Sequence, residues 1–109
     1  MSLANYFPDL IQQLPRFEGP FEAFQLSAQD CDVLLSSYPA GTVIPPHSHE
    51  TENVGVITQG VLLLTMGGKT AIVCTGEWYH VPAGEEHAAE FSEDTAGIEF
   101  WFKAATSSS

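Results

Sequence analysis

Basic residues are almost absent from this chain of 109 residues: Arg16, Lys69 and Lys103 stand against fourteen carboxylates, a formal net charge of −11. A field of that sign repels phosphate backbones and anionic lipids, which argues against nucleic acid and against a membrane surface as partners. The acidity itself reads as solubility. Cysteine is scarce as well. Cys31 and Cys74 are too few and too unpatterned for a disulfide framework or a zinc knuckle, so both read as packing thiols in a reducing cytoplasm. Long apolar runs are missing: the longest aliphatic stretch, residues 61–64, is strand length against the about 20 residues a membrane helix takes. The amino terminus shows no basic region followed by an apolar one, so no secretory signal is expected.

What remains is the composition of a globular domain, 44% hydrophobic and 16% charged, at a length suited to one domain and too short for two. Pro8, Pro15 and Pro20 surround a short apolar piece, Asp9 to Leu14, and allow at most a turn or two of helix there. Residues 1–20 are therefore expected as an amino-terminal extension, 21–104 as the folded domain and 105–109 as a disordered tail. From Phe21 onward the pattern has a period of two. Strands are expected near 21–26, 33–37, 54–59, 61–66, 69–75, 78–81, 87–91 and 98–103, with Gly67-Gly68 supplying the positive backbone angles of a tight hairpin. Many short strands and no long helix imply an antiparallel sandwich or barrel. Phe100, Trp101 and Phe102 put an aromatic ring on both faces of the last strand, and such a strand needs cover on both sides. The amino-terminal segment or a second subunit would cover Trp101, and a homodimer is expected.

Two punctuated pieces stand out from this pattern. The first is Gly41-Thr-Val-Ile-Pro-Pro-His47-Ser-His49, in which the two histidines are two apart and leave the same face of an extended segment. The second is Gly76-Glu-Trp-Tyr-His-Val-Pro82-Ala-Gly84-Glu-Glu-His87, where a turn at residues 82–84 precedes a further strand that opens on histidine. If His87 points inward, so do Ala89 and Phe91, and the interior becomes an apolar pocket with one polar end.

These pieces resemble the two motifs of the cupin superfamily, in the form seen in small single-domain bacterial cupins. Gly41, His47, His49, Asn53 and Gly60 fall on the positions of the first motif, with Asn53 where the family usually has a glutamate. Gly76, Pro82, Gly84 and His87 fall on those of the second, with Phe91 in place of its asparagine. The resemblance implies an all-β, antiparallel double-stranded β-helix (a jelly-roll, or cupin barrel) with a short irregular or helical amino-terminal segment. It also implies one divalent transition metal held by His47, His49 and His87, with Asn53 either a weak or distant fourth ligand or out of contact with the metal. Neutral imidazoles suit iron, manganese, cobalt, nickel, copper or zinc better than calcium or magnesium. An amide in place of the carboxylate leaves the metal's double positive charge uncancelled, which favours a small organic anion as substrate.

The reaction implied first is that of a metal-dependent oxygenase of dioxygenase type. Metal-assisted isomerisation or elimination, a non-enzymatic small-ligand-binding module, and an empty structural barrel are the alternatives. Tyr79 and His80 are the candidate catalytic side chains, each with a structural alternative: a core tyrosine, and a histidine on the outer face. Glu52 would replace Asn53 at a metal only after a shift in register. Glu85 and Glu86 read as solvated turn residues, with an orienting contact to an imidazole as the other possibility.

Overall fold

The computed structural model describes residues 7–103; the expected tail at 105–109 lies outside them. After one helical turn, α1 (Asp9–Gln12), come nine strands: β1 (Glu22–Ser27), β2 (Cys31–Tyr38), β3 (Val43–His47), β4 (Glu52–Gln59), β5 (Val61–Met66), β6 (Lys69–Cys74), β7 (Trp78–Val81), β8 (His87–Glu90) and β9 (Thr95–Phe102). They form two sheets, one in the order β1-β2-β9-β4-β7 and the other in the order β3-β8-β5-β6. Every pairing is antiparallel. This is the two-sheet jelly-roll implied by the strand pattern and the motifs.

The alternation places the core. Ile57, Leu62, Leu64, Val73 and Val81 meet between the sheets with Tyr38 and Phe91, whose rings stack at 4.1 Å and 6°. Each such aliphatic side chain contributes about 1.5–3 kcal/mol when taken fully out of water. A second cluster lies on the outer side of the five-stranded sheet. There Phe7, Ile11 and Leu14 of the amino-terminal segment cover Phe24, Leu35 and Ala96. Cys74 departs from expectation, because it is exposed, and in β6 only Val73 is buried.

Turns fix the strand ends. The tightest lies between β4 and β5, where Gly60 has φ +86° and sits over the start of β9. The Thr95 hydroxyl beneath it accepts from the Val61 N–H at 3.2 Å and donates to the Glu93 carbonyl at 2.8 Å. A Cβ on Gly60 would lie 2.5 Å from both the Asp94 carbonyl and the Thr95 hydroxyl, so backbone strain and overlap act together. At Gly41, φ is +89° but a Cβ would meet nothing within 4 Å, so strain acts alone. Gly60→Ala is expected to cost about 2–5 kcal/mol and Gly41→Ala about 1–2 kcal/mol. Chemical denaturation of the two variants side by side checks this, and equal losses would show that the overlap at Gly60 is relieved at no cost.

Candidate metal centre

The three histidines reach one point by different means. His47 ends β3 and His87 begins β8, and the two are cross-strand partners. The register slips between Ile44 and His47, where Pro45 and Pro46 have no N–H to give to the ladder. His49 lies beyond the end of β3, so strand alternation does not aim it. Its carbonyl instead accepts from the Gly84 N–H at 2.8 Å, with Gly84 at φ +79°. The turn of the second motif thus grips the backbone of the first. The ring centroids stand 4.3 Å apart for His47 and His87, 4.8 Å for His49 and His87, and 5.7 Å for His47 and His49. One ligand nitrogen from each lies within 4.8 Å of the others.

Hydrogen bonding sets which nitrogen faces inward. Nδ1 of His47 lies 2.9 Å from the Pro45 carbonyl, Nδ1 of His49 lies 3.2 Å from the Thr51 carbonyl, and Nδ1 of His87 lies 3.0 Å from the Glu85 carbonyl. A carbonyl only accepts, so each Nδ1 carries a proton, and in the neutral ring the lone pair is on Nε2. Burial, together with the neighbouring His47 and His49, holds the His87 imidazolium below its ordinary range, against a smaller opposing pull from the Glu85 carbonyl. Exposure is graded, with His47 exposed, His49 half-buried and His87 buried. Three imidazoles with Nδ1 held on backbone carbonyls and one nitrogen each converging are a donor set that fits a divalent transition metal.

Asn53 is buried beside them. Its Nδ2 lies 3.3 Å from His49 Nε2, and its Oδ1 accepts from the Thr51 hydroxyl at 2.7 Å. Turning the amide about its last torsion exchanges these two atoms, so the residue can present either to the site. Glu52 is turned away. One of its oxygens lies 2.5 Å from His80 Nε2 and the other accepts from the Ala83 N–H at 2.9 Å, which puts both Glu52 and His80 on the outside. Of Glu85 and Glu86, only Glu85 touches an imidazole, and it does so through its backbone carbonyl.

The histidines open into a cavity of about 560 Å³ between the sheets, lined by Phe17, Phe21, Ile44, Leu62, Leu64 and Phe91 among others. None of the three basic residues lines it. Trp101 faces in, not out. Its ring lies 5.3 Å from His49 and 6.3 Å from Phe17, so the amino-terminal segment provides the cover expected from one or other source.

The facing of β9 brings in a group that strand alternation alone did not single out as functional. Glu99 is buried in the cavity wall, accepting from the Tyr38 hydroxyl and, at 2.9 Å, from Trp101 Nε1. Burial raises its carboxyl above the ordinary carboxylate range, although both donors and the nearby His49 pull the other way. Tyr79 also lines the cavity, and burial and Glu99 push its phenol well up. Tyr79 and Glu99 are cross-strand partners of the same residue, Gly55. A Cβ on Gly55 would overlap the Tyr79 ring and hydroxyl, so the glycine is what lets the phenol lie across β4 toward Glu99. An isolated glycine inside a strand pattern is the sequence signal for such a close approach.

A family model described as a cupin domain matches residues 34–102, well over half of the chain. Among solved structures, a conserved protein of unknown function from Streptococcus pyogenes is 24% identical at a TM-score of 0.73, covering 92% of this chain and 89% of that one. KdgF from Halomonas sp. is 18% identical at a TM-score of 0.75, covering 86% and 92%. Salicylate 1,2-dioxygenase from Pseudoaminobacter salicylatoxidans is 16% identical at a TM-score of 0.63, covering 67% of this chain and 21% of that one. At these identities the likeness concerns the fold.

Glu99 has a measurable thermodynamic consequence. Its folded-state affinity for a proton exceeds that of the unfolded chain, so its stabilising contribution is complete below the ordinary carboxylate range and is lost as pH rises through the raised value. Thermal unfolding of metal-free protein at stepped pH is expected to show the wild type losing Tm relative to Glu99→Gln over that interval. Each kcal/mol lost corresponds to about 4–8 °C in a domain of this size. Parallel curves would show that Glu99 is not desolvated.

Proposed function

Since this chain belongs to the cupin family, we propose that it is a metal-dependent enzyme whose substrate is a small organic anion with a chelating pair of oxygens and an apolar body. The observation that carries this reading is the convergence of three imidazole Nε2 lone pairs at the end of a cavity that no basic side chain enters. With no ammonium or guanidinium in the wall, an anionic head has only the metal to pair with, and the apolar wall favours a hydrophobic remainder. His47, His49 and His87 would hold the metal, with Asn53 as the adjacent fourth residue; iron, manganese, cobalt, nickel, copper and zinc all suit the donor set. When bound, the metal supplies Lewis-acid polarisation of a chelated oxygen. Around it, Trp101 and Phe17 wall the substrate in, and Tyr79 offers a phenol for a hydrogen bond to its oxygen atoms.

Oxygenation is the second reading. Support for it comes from the small number of protein donors, which leaves room for substrate and dioxygen side by side when the metal is iron, and from the salicylate dioxygenase among the structural neighbours. Oxygen uptake by iron-loaded protein with diketones, thiols and catechols separates it from the first reading. A non-enzymatic binding module would retain metal and ligand and turn over neither.

The metal reading is tested by elemental analysis of tag-free protein, expected to give close to one transition metal per chain after loading. His87→Ala is expected to lower affinity by at least the ~10–100-fold that loss of even an outer partner costs. Unchanged metal content in that variant would remove His87 from the ligand set.

A homodimer in the cytoplasm completes the proposal. No helix among the described residues is long and apolar enough to cross a membrane, and both cysteines are free thiols, as a reducing compartment would keep them. On the outer side of the five-stranded sheet, Val33, Val54, Val56, Ile98, Phe100 and Trp78 form an apolar patch bordered by the Glu52–His80 pair, with the Trp78 and Phe100 rings stacked at 6.2 Å. A chain of net charge −11 repels its own copies everywhere except across such a patch. Light scattering is expected to give twice the chain mass for the wild type and the chain mass for Trp78→Glu; a monomeric wild type would discard this interface.

A further inference from the structure

Glu99 is costly where it stands. A carboxyl in an apolar wall loses its hydration, and the charged groups that usually compensate are absent: Arg16 pairs with Glu22 at 3.1 Å, Lys103 donates to the Ala28 and Gln29 carbonyls, and Lys69 belongs to the hairpin at the far end of β6. The groups that do face it are Tyr38 and the buried Ser36 hydroxyl from β2, Tyr79 from β7, Trp101 from its own strand and, farther off, His49. None of these is a fixed cation. Tyr38 and Trp101 each donate to a different oxygen of the carboxyl, which fixes the plane of the group in the cavity wall.

Its position relative to the histidines is the second observation. Trp101 connects the two, with its indole N–H on Glu99 and its ring against His49. Glu99 and the three histidines line one cavity, so a substrate held by its oxygens at the histidines extends past Trp101 toward Glu99. Gly55, by having no side chain, lets the Tyr79 phenol lie over β4 on the side of Glu99.

We propose that Glu99 is a catalytic acid-base residue, and that the reaction is proton transfer on a carbonyl compound bearing a chelating carboxylate or second carbonyl and an apolar substituent. The proposal rests on the metal reading above and specifies its chemistry. In the forward step the C–H bond next to the carbonyl breaks, its electron pair moves into the enolate, and the proton goes to a Glu99 oxygen. In the return step that O–H bond breaks and the proton is delivered to carbon, at the same or a conjugated position, or to a departing group. No oxidant or reductant is consumed. Burial makes Glu99 a stronger base than a hydrated carboxylate, while the bonds from Tyr38 and Trp101 hold it in one orientation.

Phenylpyruvate is a suitable probe: its keto-carboxylate chelates, its phenyl ring suits the apolar cavity, and its benzylic protons exchange through the enol. Zinc-loaded protein in deuterated buffer, followed by proton NMR, is expected to wash out the benzylic signal faster than the same zinc in solution. Glu99→Gln is expected to lower that rate by about 10²–10⁴-fold, with zinc content and quenching of tryptophan fluorescence by phenylpyruvate unchanged. Glu99→Asp, which keeps the acid on a shorter stem, is expected to recover part of the rate. Exchange at the wild-type rate in Glu99→Gln overturns the assignment. So does a zinc-loaded wild type that leaves the benzylic protons in place, and that result leaves the metal reading intact. Protein that takes up no metal overturns both.

Discussion

The hydrogen bond from the Gly84 N–H to the His49 carbonyl is the contact on which the site depends. His47 and His87 are brought together by the β3–β8 ladder, but His49 lies past the end of its strand and has no ladder to aim it. The left-handed conformation of Gly84 turns its N–H onto the His49 backbone, and the Pro82 and Gly84 positions shape the turn that makes this possible. The three bonds from Nδ1 to backbone carbonyls then set the tautomers. Main-chain geometry therefore delivers both the position and the tautomer of the imidazoles. A site built in this way keeps its shape without a charged partner, which suits a chain with so few cations.

A different economy governs the opposite wall. Glu99 raises the free energy of the folded state, and the fold compensates through the core at its back, where Tyr38 stacks on Phe91 and packs with Ile57 and Leu62. Tyr38 thus belongs to both systems, as a hydrophobic ring in the core and as a hydroxyl donor to the carboxyl. Phe91 stands where the second motif has asparagine, and its place in that stack gives the departure a packing explanation.

How much of this was legible in the sequence follows from how local each determinant is. The histidines were legible because fixed spacings to Gly41, Gly60, Gly76 and Gly84 encode turns, and turns are local. The two-sheet architecture was legible from alternation and the glycine pairs. The facing of β9 was not, because alternation groups Glu99 with Trp101 but says nothing about which side is inner when both carry aromatic rings. The decisive facts are long-range: Phe17 reaching Trp101, and Gly55 lying between Tyr79 and Glu99. Only Gly55 left a trace, as a lone glycine within a strand of β-branched residues. His49 shows the reverse case, where the expected convergence occurs for a reason other than alternation.

The balance of charge in the site constrains its chemistry more than the identity of the metal does. Under the proposed reading, three neutral ligands would leave a divalent metal's charge uncancelled, and the chelating head of an anionic substrate would bring the local sum toward zero. Were Glu99 ionised throughout, a second anion a few residues along β9 would be held permanently in an apolar wall, at a cost that two neutral donors only partly offset. A carboxyl that takes up the substrate's proton is neutral while the substrate's electron density is displaced toward a metal at the histidines, and it carries the charge again only once it has returned that proton. The acid and the metal position would then be parts of one charge balance, with Trp101 between them and an apolar wall around them that limits screening by water. This is why replacing Asn53 by the usual carboxylate would change more than metal affinity. It would add a fixed negative charge beside His49, offset the dication in advance, and weaken the pull that makes a carbon-bound proton acidic enough for Glu99 to take.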